Sequence, residues 1–167
     1  VDADTLASPL AAQGITMQDT WMLTSNSSVN GEADITSNWA KGPTQNSDIG
    51  NIGTGMTESS GIFTFPSTGI YLVMSRMVVQ ANGGRTYIGM RQKFAIDGAN
   101  FGENVEAYTN AYLNTAYASV HISGIYSVTN TSTHKIKFQH NISDTVNLLG
   151  NSTVTTTSAT FTRLGGT

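Results

Sequence analysis

The run from Gly61 to Ser75 constrains the fold more than any other part of the chain, because it writes a short strand, a tight corner and the start of a long strand without a break. Phe63 and Phe65 share strand parity, and Pro66 with Gly69 brackets the corner that precedes Ile70. Beyond the corner a strand runs to about Val79. It places Tyr71, Val73, Ser75, Met77 and Val79 on one face, and Ile70, Leu72, Met74, Arg76 and Val78 on the other. Both faces are largely apolar, whereas a sandwich strand usually turns one polar face to water. The second face therefore calls for a cover, either a flap drawn from residues 25–57 or another subunit.

The remaining segments read the same way. Trp21-Met22-Leu23-Thr24 predicts a first strand with Trp21 and Leu23 on one face, after a lead-in or docking arm over residues 1–18. The polar stretch 25–57 is interrupted by Ile35, Trp39 and Ile49 and is too long for a bare loop inside a compact domain. It predicts short edge strands or a covering flap anchored by Trp39. Asn82-Gly83-Gly84 marks a turn into a strand over 85–96 that carries Tyr87, Gly89, Arg91, Lys93 and Phe94. After Asp97-Gly98 comes a polar interval holding Tyr108 and Tyr112, and then a long strand from Ala116 to Val128. Asn130–Thr133 is a corner, after which Ile136, Phe138 and His140 alternate with Lys135, Lys137 and Gln139. Thr160, Thr162 and Leu164 oppose Phe161 and Arg163 in a last strand. No segment carries a 3.6-residue period, so the expected fold is an all-β sandwich of about eight to ten strands, with 19–167 as a single domain.

Composition supports this and narrows the chemistry. The 167 residues include 24 Thr, 17 Ser, 14 Asn and 17 Gly against three Pro, and only 11% are charged. Thr suits pleated surfaces, while Asn and Gly tolerate the dihedrals of corners. Eleven acidic and eight basic residues leave a net charge of -3, with no dense basic run. Nucleic acid is therefore not an expected partner. Cysteine is absent, which removes disulfides, thiolate catalysis and cysteine-ligated metals. No run approaches the roughly 18 apolar residues of a membrane span, so no membrane insertion is expected. Asn26, Asn130, Asn141 and Asn151 each open an Asn-X-Ser/Thr triplet, a pattern that arises readily in so Asn- and Thr-rich a chain.

The candidate catalytic residues do not assemble into a motif. His121, His134 and His140 lack metal-ligand spacing, and His134 and His140 would stand about 20 Å apart along one strand. Glu103 and Glu106 are close in sequence without a partner that would define acid–base work. Gly53-Thr54-Gly55 lacks the Gly-Lys-Ser/Thr of a phosphate-binding loop, and no Ser occupies a Gly-X-Ser-X-Gly elbow. No catalytic residue, metal ligand or cofactor is assigned, and the chain is expected not to be an enzyme. Arg76, Arg85, Arg91 and Lys93 are sparse charges suited to subunit contacts, with Arg76 and Arg91 the leading interface candidates. Burial of Arg76 would demand a carboxylate or carbonyl partner. Tyr71, Tyr87, Tyr117 and Tyr126 could serve an interface or the core.

The 61–75 stretch, the Lys135-Ile136-Lys137-Phe138 strand and the Thr160-Phe161-Thr162-Arg163-Leu164 ending together resemble the C1q/TNF-like jelly-roll superfamily. The family's Phe-X-X-Pro-X-X-Gly-X-Tyr corner falls on Phe63, Pro66, Gly69 and Tyr71, and its terminal aromatic position on Phe161. The resemblance covers roughly residues 58–165. It implies a compact homotrimer with a binding or structural task, in which Tyr71, Val73, Met77, Tyr117, Phe138 and Phe161 pack the trimer or the core. The segment 48–63, together with the Thr, Asn and Gly richness, looks like the versions of this jelly roll found in tailed-bacteriophage virion proteins. No Gly-X-Y stalk repeat occurs.

That resemblance implies a non-enzymatic structural protein at the virion surface, a capsid decoration protein that bridges major capsid protein subunits or another virion component. Two alternatives remain open: the receptor- or glycan-binding head of a phage tail fibre or spike, and a cellular C1q-like adhesion module. A fibre head would display loops near 82–85, 98–115 and 129–133 to a host-surface glycan or protein.

Overall fold

The computed structural model describes residues 14–42 and 51–167. Among these, eleven strands follow in chain order: β1 (Met17–Leu23), β2 (Ser27–Asp34), β3 (Trp39–Lys41), β4 (Thr57–Ser59), β5 (Ile62–Thr64), β6 (Gly69–Asn82), β7 (Arg85–Ala95), β8 (Gly102–Ala111), β9 (Asn114–Val128), β10 (Lys135–Leu148) and β11 (Ser158–Gly165). Ser60 and Gly61 join β4 to β5 with φ of 52° and 80°, paired positive values that match a two-residue hairpin to the twist of its strands. A β-carbon on Gly61 would lie 2.4 Å from the Ile35 carbonyl oxygen, so the hairpin also needs the bare backbone. At the next corner the Tyr71 hydroxyl donates to the Ser67 carbonyl at 2.9 Å, and its ring sits 4.8 Å from that of Phe65. One aromatic side chain thus pins the turn and fills the core beneath it.

Every strand pairing is antiparallel. β6 is the centre of one layer, flanked by β9 on one side and by β11, β1 and β3 in succession on the other. β10 is the centre of the second layer, flanked by β7 and β8 on one side and by β2 and β5 on the other, with β4 beyond β5. A register shift between Ile142 and Val146 lets the end of β10 leave its layer, and Val146–Leu148 pairs with Val79–Ala81 of β6. The two layers are therefore joined at one edge, and the whole is an all-β jelly-roll sandwich.

Between the layers lies an aromatic core. Phe63 stands 5.4 Å from Trp21, 5.3 Å from Trp39, 5.5 Å from Phe138 and 5.2 Å from Phe161. Tyr71, Val73, Met77 and Val79 from β6, Ile88 and Met90 from β7, and Ile136 from β10 are fully buried around it. Each such side chain contributes about 1.5–3 kcal/mol by leaving water.

The strand boundaries depart from the sequence expectation in three places. β1 begins at Met17, four residues before Trp21, and β10 continues to Leu148. The polar interval expected to display a loop over 98–115 is mostly strand β8, whose inward side chains Val105, Ala107 and Thr109 are too weakly apolar to announce it. Trp39 is the expected anchor of 25–57: it is 9% exposed and its indole N–H donates to the Ile35 carbonyl at 2.9 Å. The described parts of that segment do not cover β6, however, because β2 lies along β10 and β3 along β1. Most of the expected lead-in (1–13) and the segment 43–50, with Ile49, lie outside the described residues.

Candidate functional site

The long strand with two apolar faces gives this molecule its most distinctive surface. Tyr71, Val73, Ser75, Met77 and Val79 point into the core, and the opposite side chains of β6 point out of the sandwich. There the register sets Leu72 beside Ile125, Met74 beside Ser123, Arg76 beside His121, Val78 beside Ser119 and Gln80 beside Tyr117. On the other flank Thr160 and Thr162 of β11 lie beside Met74 and Leu72. Ile125 is 68% exposed, Tyr117 69% and Met74 45%. Ser and Thr hydroxyls, Gln80, Arg76 and His121 complete it, so the face is broad, half apolar and sparsely charged.

Its electrostatics are equally distinctive. β6, β9 and β11 contain no acidic residue, and Arg76 is the one formal charge on the part of the face that β6 and β9 share. Arg76 Nε donates to the Thr156 carbonyl at 2.7 Å, and its Nη2 donates to the Thr155 carbonyl. The half-buried guanidinium thus meets backbone carbonyls and has no carboxylate partner among the described residues, while His121 beside it is exposed.

The acids gather on the other layer around Arg91. Its Nε donates to Glu106 at 2.7 Å; Nη1 donates to Glu32 at 2.8 Å and to Glu103 and Gln139 at 3.1 Å; Nη2 donates to the Tyr108 hydroxyl at 3.1 Å. The hydrogen bond to Glu106 holds the Arg91 guanidinium charged well above its usual range, against the desolvation that opposes it. In return Arg91, aided by Tyr108, holds the Glu106 carboxyl below the ordinary carboxylate value. These contacts occupy Arg91 within its own chain. Lys137 similarly donates to Asp34 at 2.6 Å. Arg85 is held by the Thr145 carbonyl, with Asp144 at 3.6 Å.

The candidate residues therefore divide. Tyr71, Val73, Met77, Phe138 and Phe161 lie fully buried in the core, and Tyr117 stands on the exposed face. Arg76 lies on that same face, and Arg91 on the opposite layer. Gln92, Asp19 and Thr157 are buried polar groups that escaped the sequence reading. Gln92 is fully buried between the layers, and Asp19, 1% exposed, accepts from the Trp21 indole at 2.9 Å and the Met56 amide at 2.7 Å. Gln92 alternates with Met90 and Phe94 on the inward side of β7, which was the signal available. Among the described residues no group of three or more His, Asp or Glu is placed to hold a metal ion, and no helix is long and apolar enough to cross a membrane.

The sequence matches no protein-family model and no curated protein. The fold does match solved structures. Eiger TNF from S. frugiperda superposes with a TM-score of 0.69 at 11% identity, over 92% of this chain and 96% of that one. Murine APRIL gives 0.61 at 14% identity, over 89% and 98%. The PRD1 vertex protein P5 gives 0.51 at 16% identity, over 91% and 99%. At these identities the likeness is one of fold, and it places the chain's architecture with the TNF/C1q-like jelly rolls.

Proposed function

We propose that this chain is a non-enzymatic structural or adhesion protein that works as a homotrimer, with the outward face of β6 and β9 as its subunit seam. The absence of carboxylates from that face carries the reading. In a threefold assembly the contacts are heterologous and a charged side chain meets its own copies only near the axis, while elsewhere in the seam it is buried without a partner unless the neighbouring subunit supplies one. A face of Leu72, Met74, Val78, Tyr117 and Ile125 among Ser and Thr hydroxyls avoids that cost and has apolar area to bury. Arg76 and His121 form the middle row of this face, and Arg76 enters the seam with its guanidinium already tied to the Thr155 and Thr156 carbonyls of its own chain.

Within that reading the site of action is the virion surface, and the task is capsid decoration, with the trimer bridging the major capsid protein or another virion component and the residues ahead of β1 as a docking arm. The fold likeness to the PRD1 vertex protein P5 supports this location. A second reading, the receptor-binding head of a tail fibre or spike, is favoured by the half-exposed aromatic residues on the layer away from the seam. Light scattering coupled to size exclusion tests the assembly: a mass near three times 17.7 kDa is expected, and a persistent monomer rejects the seam. Reconstruction of the native particle tests the location, with density over capsid lattice points for decoration and density confined to a tail or vertex tip for a head.

A further inference from the structure

Gly89, Tyr108 and Asn141 form one row across β7, β8 and β10, with glycine in the middle. A β-carbon on Gly89 would sit 2.3 Å from Tyr108 Cε1 and 2.5 Å from its Cδ1. The Cδ1–Cε1 edge of the Tyr108 ring therefore occupies the space over the glycine, where any side chain would displace it. Its hydroxyl is fixed from three sides: it accepts from Arg91 Nη2 at 3.1 Å and from Asn141 Nδ2 at 3.2 Å, and it donates to Glu106 Oε2 at 3.1 Å. Two residues before Gly89 on the same face, Tyr87 stands against this ring at an interplanar angle of 85°, with centroids 6.0 Å apart. Floor and wall enclose an open trough of about 320 Å³ lined by Tyr87, Tyr108 and Asn141.

Covering a strand glycine explains the Tyr108 ring alone. It does not explain an upright second tyrosine, nor why both rings remain 41% and 45% exposed beside an amide. A ring held by three hydrogen bonds is already in its binding geometry, so a ligand need not order it. The chemistry offered is a flat π face, a perpendicular apolar wall and a carboxamide at the edge. This suits a molecule with one face of C–H bonds and a rim of hydroxyls.

We propose that the Tyr87–Tyr108–Asn141 trough binds a neutral saccharide, stacking one pyranose face on Tyr108 with its edge against Tyr87 and its hydroxyls at the Asn141 amide. Charge selects against the alternatives. Glu32, Glu103 and Glu106 outnumber Arg91 around the rim, which disfavours sialylated, sulfated or phosphorylated ligands. An ammonium cation would have to draw Glu106 away from both Arg91 and Tyr108. Every residue comes from one chain, and the trough lies on the layer opposite the proposed seam, so the site stands whether or not the trimer forms.

The test is saturation-transfer NMR and a glycan array on the full chain, with uncharged hexose and N-acetylhexosamine oligosaccharides, their sialylated and sulfated counterparts, and tetramethylammonium as probes. Neutral saccharides are expected to bind, with amide shifts on the wild-type protein confined to residues around 87, 108 and 141. Tyr87→Ala, at an exposed position, should weaken binding about tenfold. Gly89→Ala should abolish it by displacing the ring, and Tyr117→Ala on the opposite layer should leave it unchanged. Failure of every neutral saccharide to bind, shifts mapping elsewhere, undiminished binding by Tyr87→Ala, or preference for a charged probe would each overturn the proposal. Light scattering on the same samples reads the trimer separately.

Discussion

The Tyr126 hydroxyl donates to Gln92 Oε1 at 2.8 Å inside the sandwich, and Gln92 Nε2 donates onward to the Val73 carbonyl and the Ser75 hydroxyl at 3.0 Å. Strand β7 of one layer is thereby stitched to β6 and β9 of the other through a residue with no exposed surface.

Tyr126→Phe should cost about 1–2 kcal/mol and Gln92→Leu about 1–3 kcal/mol, because each strands a buried polar partner. The double variant should lose less than the sum, since it removes both members of the pair; urea denaturation of all three measures the coupling. Burial also pushes the Tyr126 phenol far above its usual value. Its contribution is therefore complete below the ordinary tyrosine value of about 10 and is lost as pH rises above it. Tyr126→Phe should flatten the alkaline fall in melting temperature.

Asp19 is the knot that ties the 52–57 segment to β1. Its Oδ2 takes the Trp21 indole and the Met56 amide, with Lys41 Nζ at 3.4 Å. Asp19→Ala leaves those two donors without their acceptor and should destabilise by about 3 kcal/mol, while Asp19→Asn, which keeps a carbonyl oxygen, should cost about 1 kcal/mol. Thermal melts distinguish the two. Gly55→Ala should mimic the damage, since its β-carbon would sit 2.2 Å from the same oxygen.

His140 gives the fold an acid-sensitive joint between β10 and β2. It is 4% exposed with Nδ1 at 3.1 Å from the Gly31 carbonyl. Burial lowers its pKa, against the smaller opposing effects of that carbonyl and Asp34. A histidine depressed in the folded state stabilises fully above its unfolded value near 6.5 and loses that contribution as pH falls below it. Melting temperature should therefore drop between about pH 7 and pH 5, and His140→Gln should reduce the drop. An imidazole NMR midpoint above the free-histidine value would contradict this.

Ile125→Glu tests the seam without touching the core. Ile125 is 68% exposed and lies beside Leu72, so within one subunit the change should alter stability by no more than about 0.5 kcal/mol. In the trimer it would bury an unpaired carboxylate at each seam, and the mass should fall from threefold to 17.7 kDa. Unchanged mass in a trimeric wild type would place the seam elsewhere.

The legible parts of the fold are those whose causes are local. The corner from Phe63 to Tyr71 is written by a proline, a glycine and an aromatic at fixed offsets, whereas the Ser60-Gly61 hairpin before it emerged only in the structure. The two faces of β6 follow from period-two alternation. β8 was not legible, because its inward residues Val105, Ala107 and Thr109 bury little area. Its place is secured by the ladder to β7 and by Glu106 reaching Arg91. The far half of β10 was hidden by the polar run Ser143-Asp144-Thr145, which places an exposed Asp144 at the inward parity shared by Ile142 and Val146 and so reads as the end of a strand.

Taken alone, the sequence determined an all-β sandwich with a turn-rich frame, an apolar core strand whose second face needs cover, and a chemistry poor in nucleophiles and metal ligands. Composition and short-range spacing carry that information because turn dihedrals and strand parity are settled within a few residues. Only the tertiary structure decided what covers what. It drew Glu32, Glu103, Glu106 and Gln139 from three strands around Arg91, set the edge of the Tyr108 ring over Gly89, and left the outward face of β6 and β9 free of acids. Those juxtapositions join residues far apart in the chain, and which strand lies beside which is set by how the core closes.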